Sequence, residues 1–176
     1  MAIEVNKLSI NMKAREWCLL PYPDHPKGCP NYNDSNHKGI CPPTAPLIQE
    51  FIDVEQPMYL IIEEFDLGAH IKRMFEKHPN WSERQSKCVL YWQNGVNSRL
   101  EKKCEVFKQV HSGFITTRCP EAMGVNIIAT AQNAGIPIKP KPIGVVYKIA
   151  LAGVPNGERI NNRSDELLPS QLPLLL

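Results

Sequence analysis

The chain is expected to fold as an α/β domain: a small sheet with packed helices and a long Cys/Pro-rich metal-binding loop. Three observations carry that expectation. Apolar runs of strand character alternate with segments of helical periodicity, which suggests a sheet layered with helices. A stretch of roughly 27 residues, Leu20 to Pro46, is dense in Pro, Asn, Asp, Gly and His and shows neither period. The 176 residues are 43% hydrophobic, enough for one core and too few for two domains. Residues 1–153 are read as a single α/β metal-binding domain and 154–176 as a C-terminal tail.

The first dozen residues place Ile3, Val5, Leu8 and Ile10 mostly two apart, predicting a strand with a bulge or change of face near Asn6-Lys7. The loop after Leu20 is too long for a compact domain unless something besides secondary structure organises it, and a bound metal is one organiser. Thr44 is expected to cap a short helix with Pro46 in its first turn and Leu47, Ile48, Phe51 and Ile52 as its buried stripe. Met58 to Ile62, introduced by Pro57 and ending in Glu63-Glu64, reads as a buried central strand. Leu67 to Lys77 reads as a helix stopped by His78-Pro79. Ser82 or Asn80 then starts a long helical pattern that brings Val89, Trp92, Val96, Leu100, Phe107 and Val110 to one core face. Phe114 to Thr117 predicts a short strand. Pro120 to Asn133 predicts a helix with Cys119 at its N-cap and Gly135 just past its end. Ile143 to Leu151, rich in β-branched and aromatic residues, predicts the last strand.

Charge narrows the function. Twenty Lys+Arg against 18 Asp+Glu leave a net charge of +2, without the overall basic footprint of a dedicated nucleic-acid binder. No apolar run reaches the roughly 18 residues of a membrane span, and MAIEVNKLSI lacks the pattern of a secretory leader. The chain is therefore expected to be soluble and cytoplasmic, with no membrane partner. The Gly residues form neither a Walker pattern nor G-x-G-x-x-G, which removes support for nucleotide binding.

Six cysteines in a chain read as cytosolic point to metal binding, catalysis or burial rather than to disulfides. Cys18, Cys29 and Cys41 enclose the loop, with ten and eleven residues between successive thiols. Zinc fingers and ribbons usually pair their ligands two to four residues apart, so this wide spacing suits an iron-sulfur cluster at least as well as zinc. Pro follows Cys29, Cys41 and Cys119, biasing each toward an extended backbone. On one continuous helix Cys88 and Cys104 would lie about 24 Å apart and point roughly 160° away from each other, so they could not share a metal. Cys104 reads as core filler between Leu100 and Phe107. Cys119, at a helix N-cap, would face unpaired N–H groups that favour thiolate, making it a fourth ligand or a reactive thiol. His25 and His37 lie in the same loop as substitutes for it.

The segment from Cys29 to Pro46, with Cys-Pro, Tyr32 and then CPPTAP, resembles the predicted metal-binding family called domain of unknown function 2284. RCPEAMGVNIIATAQNAG, from Arg118 to Gly135, resembles a second region of that family. The resemblance covers about a third of the chain and implies a cysteine-bound metal or iron-sulfur centre, with the family's loop cysteines falling on Cys29, Cys41 and, more loosely, Cys18. It implies no substrate. The compact ferredoxin-like cysteine run of typical members has no counterpart here.

The leading expectation is thus a cytosolic metal-binding protein holding an iron-sulfur cluster through Cys18, Cys29 and Cys41, joined by Cys119 or left with one open iron for substrate or sulfur. The alternative is a structural zinc module that serves binding of a protein or nucleic acid, with Arg99, Lys102, Lys103 and Lys108 along one helix face. A third reading is metal-free thiol chemistry with Cys119 as nucleophile and His111 or another His as base.

Overall fold

The computed structural model describes residues 1–21, 25–140 and 142–157. The strands β1 (Ala2–Val5), β2 (Met58–Asp66), β3 (Ile115–Thr117) and β4 (Val145–Gly153) form one antiparallel sheet in the order β1-β2-β4-β3. The helices are α1 (Ile48–Phe51), α2 (Leu67–Lys77), α3 (Glu83–Ser86), α4 (Gln93–Val110) and α5 (Ile127–Asn133), so the α/β class stands.

The long central pair, β2 with β4, runs in register from Met58 opposite Gly153 to Asp66 opposite Val145. Alternation sorts its side chains onto two faces. Met58, Leu60 and Ile62, with Ile149 and Leu151, pack on Ile48, Ile52, Val125, Ile127 and Ala131. Ile61, with Ala150 and Ala152, packs under Leu100, Cys104 and Phe107 of α4. The small alanines of β4 leave room for that helix, whose buried residues Val96, Leu100, Cys104 and Phe107 recur four, four and three apart. Cys104 is core, as its position between Leu100 and Phe107 suggests.

The strand that was expected to end at Glu63-Glu64 continues to Asp66. Glu63, only 6% exposed, stays ionised because Arg99 and Lys103 of α4 both pair with it. Two members of the basic set considered for partner binding are thereby engaged inside the fold, and Lys108 pairs with Glu105.

Three helix boundaries differ from the sequence reading. Thr44 does not cap α1; Leu47 is its N-cap, and Thr44 Oγ1 instead accepts from the Gly39 N–H and donates to the Cys41 carbonyl. The long helix from Ser82 to Val110 is broken into α3, a 3-10 turn at Val89–Tyr91 and α4. Trp92, stacked on Phe65 at 4.8 Å, has extended φ and starts α4 as its N-cap, so a tertiary contact outweighs the periodicity there. Val110, expected on the core face, is exposed. The helix expected over Pro120–Asn133 is a 3-10 turn, Pro120–Met123, followed by Gly124 at φ 87 and then α5. The side chain of Asn126 caps α5 by accepting from the Ala129 N–H.

No helix among the described residues is long and apolar enough to cross a membrane. The tail assigned to 154–176 lies outside the described residues after Gly157; its first part stays on the domain, where Pro155 bridges Ile52 and Asn156 donates to the Gln49 carbonyl.

Candidate metal centre

β3 pairs only with Leu151, Ala152 and Gly153 of β4. After Thr117 the chain turns away, so the same edge of β4 from Val145 to Ala150 carries no further strand among the described residues. Cys29 and Cys119 line cavities beside this open stretch.

Cys119 follows β3 and opens the 3-10 turn Pro120–Met123. Cys18 belongs to a second 3-10 segment, Met12–Leu19, capped by the side chain of Asn11 on the Lys13 N–H. The two segments pack together. Asn11 N–H donates to the Gly124 carbonyl at 2.8 Å, Ile10 bridges Val125, and Asn126 N–H donates to the Ser9 carbonyl at 2.7 Å. Residues far apart in sequence, Cys18 and Cys119, are thereby tied to one scaffold.

The loop is fastened to the same scaffold. Cys29 N–H donates to the Cys18 carbonyl at 2.7 Å. Gly28 precedes that bond at φ +91, and a Cβ there would stand 2.4 Å from the Cys18 carbonyl oxygen, so only glycine lets the two chains approach this closely. The Arg15 guanidinium donates to the carbonyls of Pro43 and Ala45, drawing in the segment after Cys41. Cys41 N–H donates to the His37 carbonyl, and the Cys41 carbonyl accepts from Ala45 N–H. Between Leu20 and Pro46 the described residues hold turns and a short 3-10 helix, Ser35–His37, with no α-helix or extended strand.

Electrostatics couple several of the thiols. Burial pushes the Cys18 thiol up to about 11, and Cys29, Cys119, Cys41 and Glu121 add to that. Cys41 is raised by burial, then by Cys29 and Asp34. Cys119 is raised by burial, then by Glu121 and Cys41, against the opposing Lys148 and Arg118. Repulsion of this kind fades beyond roughly 10 Å among partly solvated groups. Cys18 thus feels Cys29, Cys119 and Cys41, while Cys88 precedes the Val89–Tyr91 turn and Cys104 lies under α4.

The expectation that a helix dipole would favour thiolate at Cys119 is corrected. The helix it was to cap is a single 3-10 turn, and burial with Glu121 raises the thiol instead. Cys119 is nevertheless reachable, because it lines an open cavity of about 320 Å³ together with Glu121, Tyr147 and Lys148. The carboxyl of Glu121 is itself raised by burial. His111 stacks on Phe107 at 4.2 Å and lies tilted against Tyr59 at 5.5 Å, an aromatic role. His37 is engaged through Nδ1 with Asp34 Oδ2 at 2.8 Å.

Among the described residues no three Cys, His, Asp or Glu side chains stand close enough together to hold one metal ion. Thiolates on a cluster bind different irons and so lie farther apart than ligands of a single ion. Sequence reasoning gave no role at the site to Lys148 and Glu121, two charged groups that act on the Cys119 thiol. A lone lysine inside the apolar run Val145–Gly153 was the available signal for the first. Comparison with family models, curated proteins and solved structures finds no match to this chain.

Proposed function

We propose that this chain is a metal-binding protein in which Cys18, Cys29, Cys41 and Cys119 hold an iron-sulfur cluster. What supports the reading is geometric: Cys29 N–H donates to the Cys18 carbonyl, and the 3-10 segment of Cys18 packs on the turn that Cys119 opens, with the electrostatic coupling of Cys18 to Cys29, Cys119 and Cys41 in agreement. The wide sequence spacing of Cys18, Cys29 and Cys41 suits a cluster at least as well as a single zinc ion, and the partial resemblance of Cys29–Pro46 to a metal-binding family agrees with it. When bound, a four-thiolate cluster would supply structural cross-linking or electron transfer; a three-thiolate one would supply an iron for substrate or sulfur. The chain's own part is to hold the sulfurs in place, through the Cys29-to-Cys18 hydrogen bond and the Arg15 clamp, and to leave Cys119 open to the cavity beside β4.

The test is anaerobic purification with visible absorption and iron, sulfide and zinc analysis of the native chain, Cys41→Ser and Cys104→Ser. Iron and sulfide are expected in the native chain and in Cys104→Ser, and a loss in Cys41→Ser. About one zinc per chain without iron would replace the cluster by the structural zinc module, and absence of any metal would overturn both.

A further inference from the structure

On the α4 side of the sheet a cavity of about 380 Å³ opens beside Cys29. Its walls are apolar: Val89 and Trp92 from the turn before α4, Val96 from its first turns, and Val146 from β4. Trp92 is a fixed wall, because its ring stacks on Phe65 at 4.8 Å and 18° and its Nε1–H donates to the Lys87 carbonyl. Three polar side chains also line it, the amides of Gln93 and Asn97 and the ammonium of Lys148.

Lys148 stands opposite Glu63 across β2 and β4, the position from which an acidic partner would ordinarily be recruited. Glu63 is already taken by Arg99 and Lys103 of α4. Lys148 is left with no hydrogen bond or direct ion pair among the described residues, and its charge adjoins an apolar pocket that ends at a candidate ligand cysteine. A pocket of this size, with apolar walls, one cation and two amides, has the composition of a small-molecule site.

We propose that this cavity binds a small organic monoanion with a flat apolar body, an aromatic or unsaturated monocarboxylate, held against Trp92 with its carboxylate on Lys148. One ammonium and two amides match a single carboxylate; a phosphate monoester would bring up to about two charges and three acceptor oxygens. The site needs only the cavity and Lys148. Its role as the substrate pocket of the cysteine centre rests on the function proposed above.

The test uses benzoate as probe and benzamide as its neutral counterpart, titrated calorimetrically into the full chain, with metal content measured on the same samples. Benzoate is expected to bind about tenfold or more tightly than benzamide. Lys148→Met should erase that preference, and Asn97→Trp, which fills the pocket and keeps the lysine, should abolish binding of both. Should one variant fail to fold, the other still decides. Equal binding of benzoate and benzamide, no benzoate binding at about 10 mM, the weak end of the affinity scale, or unchanged preference in Lys148→Met would overturn the site. Iron-loaded protein that ignores benzoate sinks this inference alone. Metal-free protein that binds it with the stated preference sinks the cluster alone.

Discussion

Gly28→Ala isolates the contact that carries Cys29 to Cys18. Any side chain at φ +91 costs roughly 1–2 kcal/mol in backbone strain. The new Cβ would also meet the Cys18 carbonyl oxygen at 2.4 Å and Leu19 backbone atoms at 2.7 Å, all main-chain atoms with nowhere to turn. The strands of loop must separate, and the 2.7 Å hydrogen bond from Cys29 N–H to Cys18 is lost, about 1 kcal/mol more. The stiffer unfolded chain returns about 0.4–1 kcal/mol, leaving a net cost of roughly 2 kcal/mol, with displacement of Cys29 from the other sulfurs. Gly39→Ala is the matched control, since its φ is +78 but no atom lies within 4 Å of the added Cβ. Backbone strain less the same entropic return leaves roughly 1 kcal/mol or below there. Urea unfolding reads the two costs, and metal per chain reads the displacement. The reasoning fails if both variants lose equal stability and Gly28→Ala retains its full metal content.

Two further predictions concern protons. Burial pushes the Glu63 carboxyl up, but hydrogen bonds and charges from Lys103 and Arg99 outweigh it and hold the group below its usual value. Its contribution is therefore complete above the unfolded value of about 4.3 and is lost as pH falls through the lower folded value. Glu63→Gln should cost about 1–3 kcal/mol at pH 7, less than a fully buried pair because both cations are partly exposed. Urea midpoints of native chain and variant should converge on acidification, and a constant gap down to about pH 2, below the usual carboxylate range, would refute this. For the thiols the sign reverses. Cys18, Cys41 and Cys119 are raised and hold their protons more tightly than in the unfolded chain, so metal must displace protons. Loading of the metal-free chain should release protons and tighten as pH rises, and pH-independent loading would contradict it. Without metal, the same shifts should weaken the fold as pH climbs above about 8.5, the unfolded thiol value, toward the Cys18 value of about 11.

Elements governed by local chemistry could be read from the sequence. Leu67–Lys77 is a helix over the residues expected, since its periodicity and the His78-Pro79 stop are local and agree. The core of β2 was equally legible, but its end was not, because Glu63 is tolerated inside only through Arg99 and Lys103, some forty residues later. The break before α4 was hidden for a related reason: Trp92 keeps the helical period while stacking on Phe65 of another strand. The break at Gly124 had signals in Gly124 itself and in Asn126, overridden in the reading by the agreeing boundary signals at Cys119-Pro120 and Gly135. Spacing named Cys18, Cys29 and Cys41 as a group, and Cys119 was added from an expected helix N-cap that proved to be a single 3-10 turn. Spacing gave no account of how they meet, which depends on two 3-10 segments packing and on Gly28 admitting a close approach.

The open edge of β4 connects these features. An unpaired strand edge is a liability that proteins cover with loops, bulges or charge. Here Lys148 and Arg118 supply charge near that edge, and the cysteine-bearing segments supply the covering chain. That covering has little regular structure of its own, so its order rests on isolated backbone hydrogen bonds such as Cys29 to Cys18 and Asn33 to Pro42. Each is worth about 1 kcal/mol, comparable to the entropy of fixing a single residue, so they cannot order a segment of roughly 27 residues with much to spare. Raised thiols at Cys18, Cys41 and Cys119 hold their protons, which weakens mutual repulsion but adds no attraction. Under the proposed function, coordination supplies that attraction. Metal occupancy and the ordering of the loop over β4 then become one equilibrium.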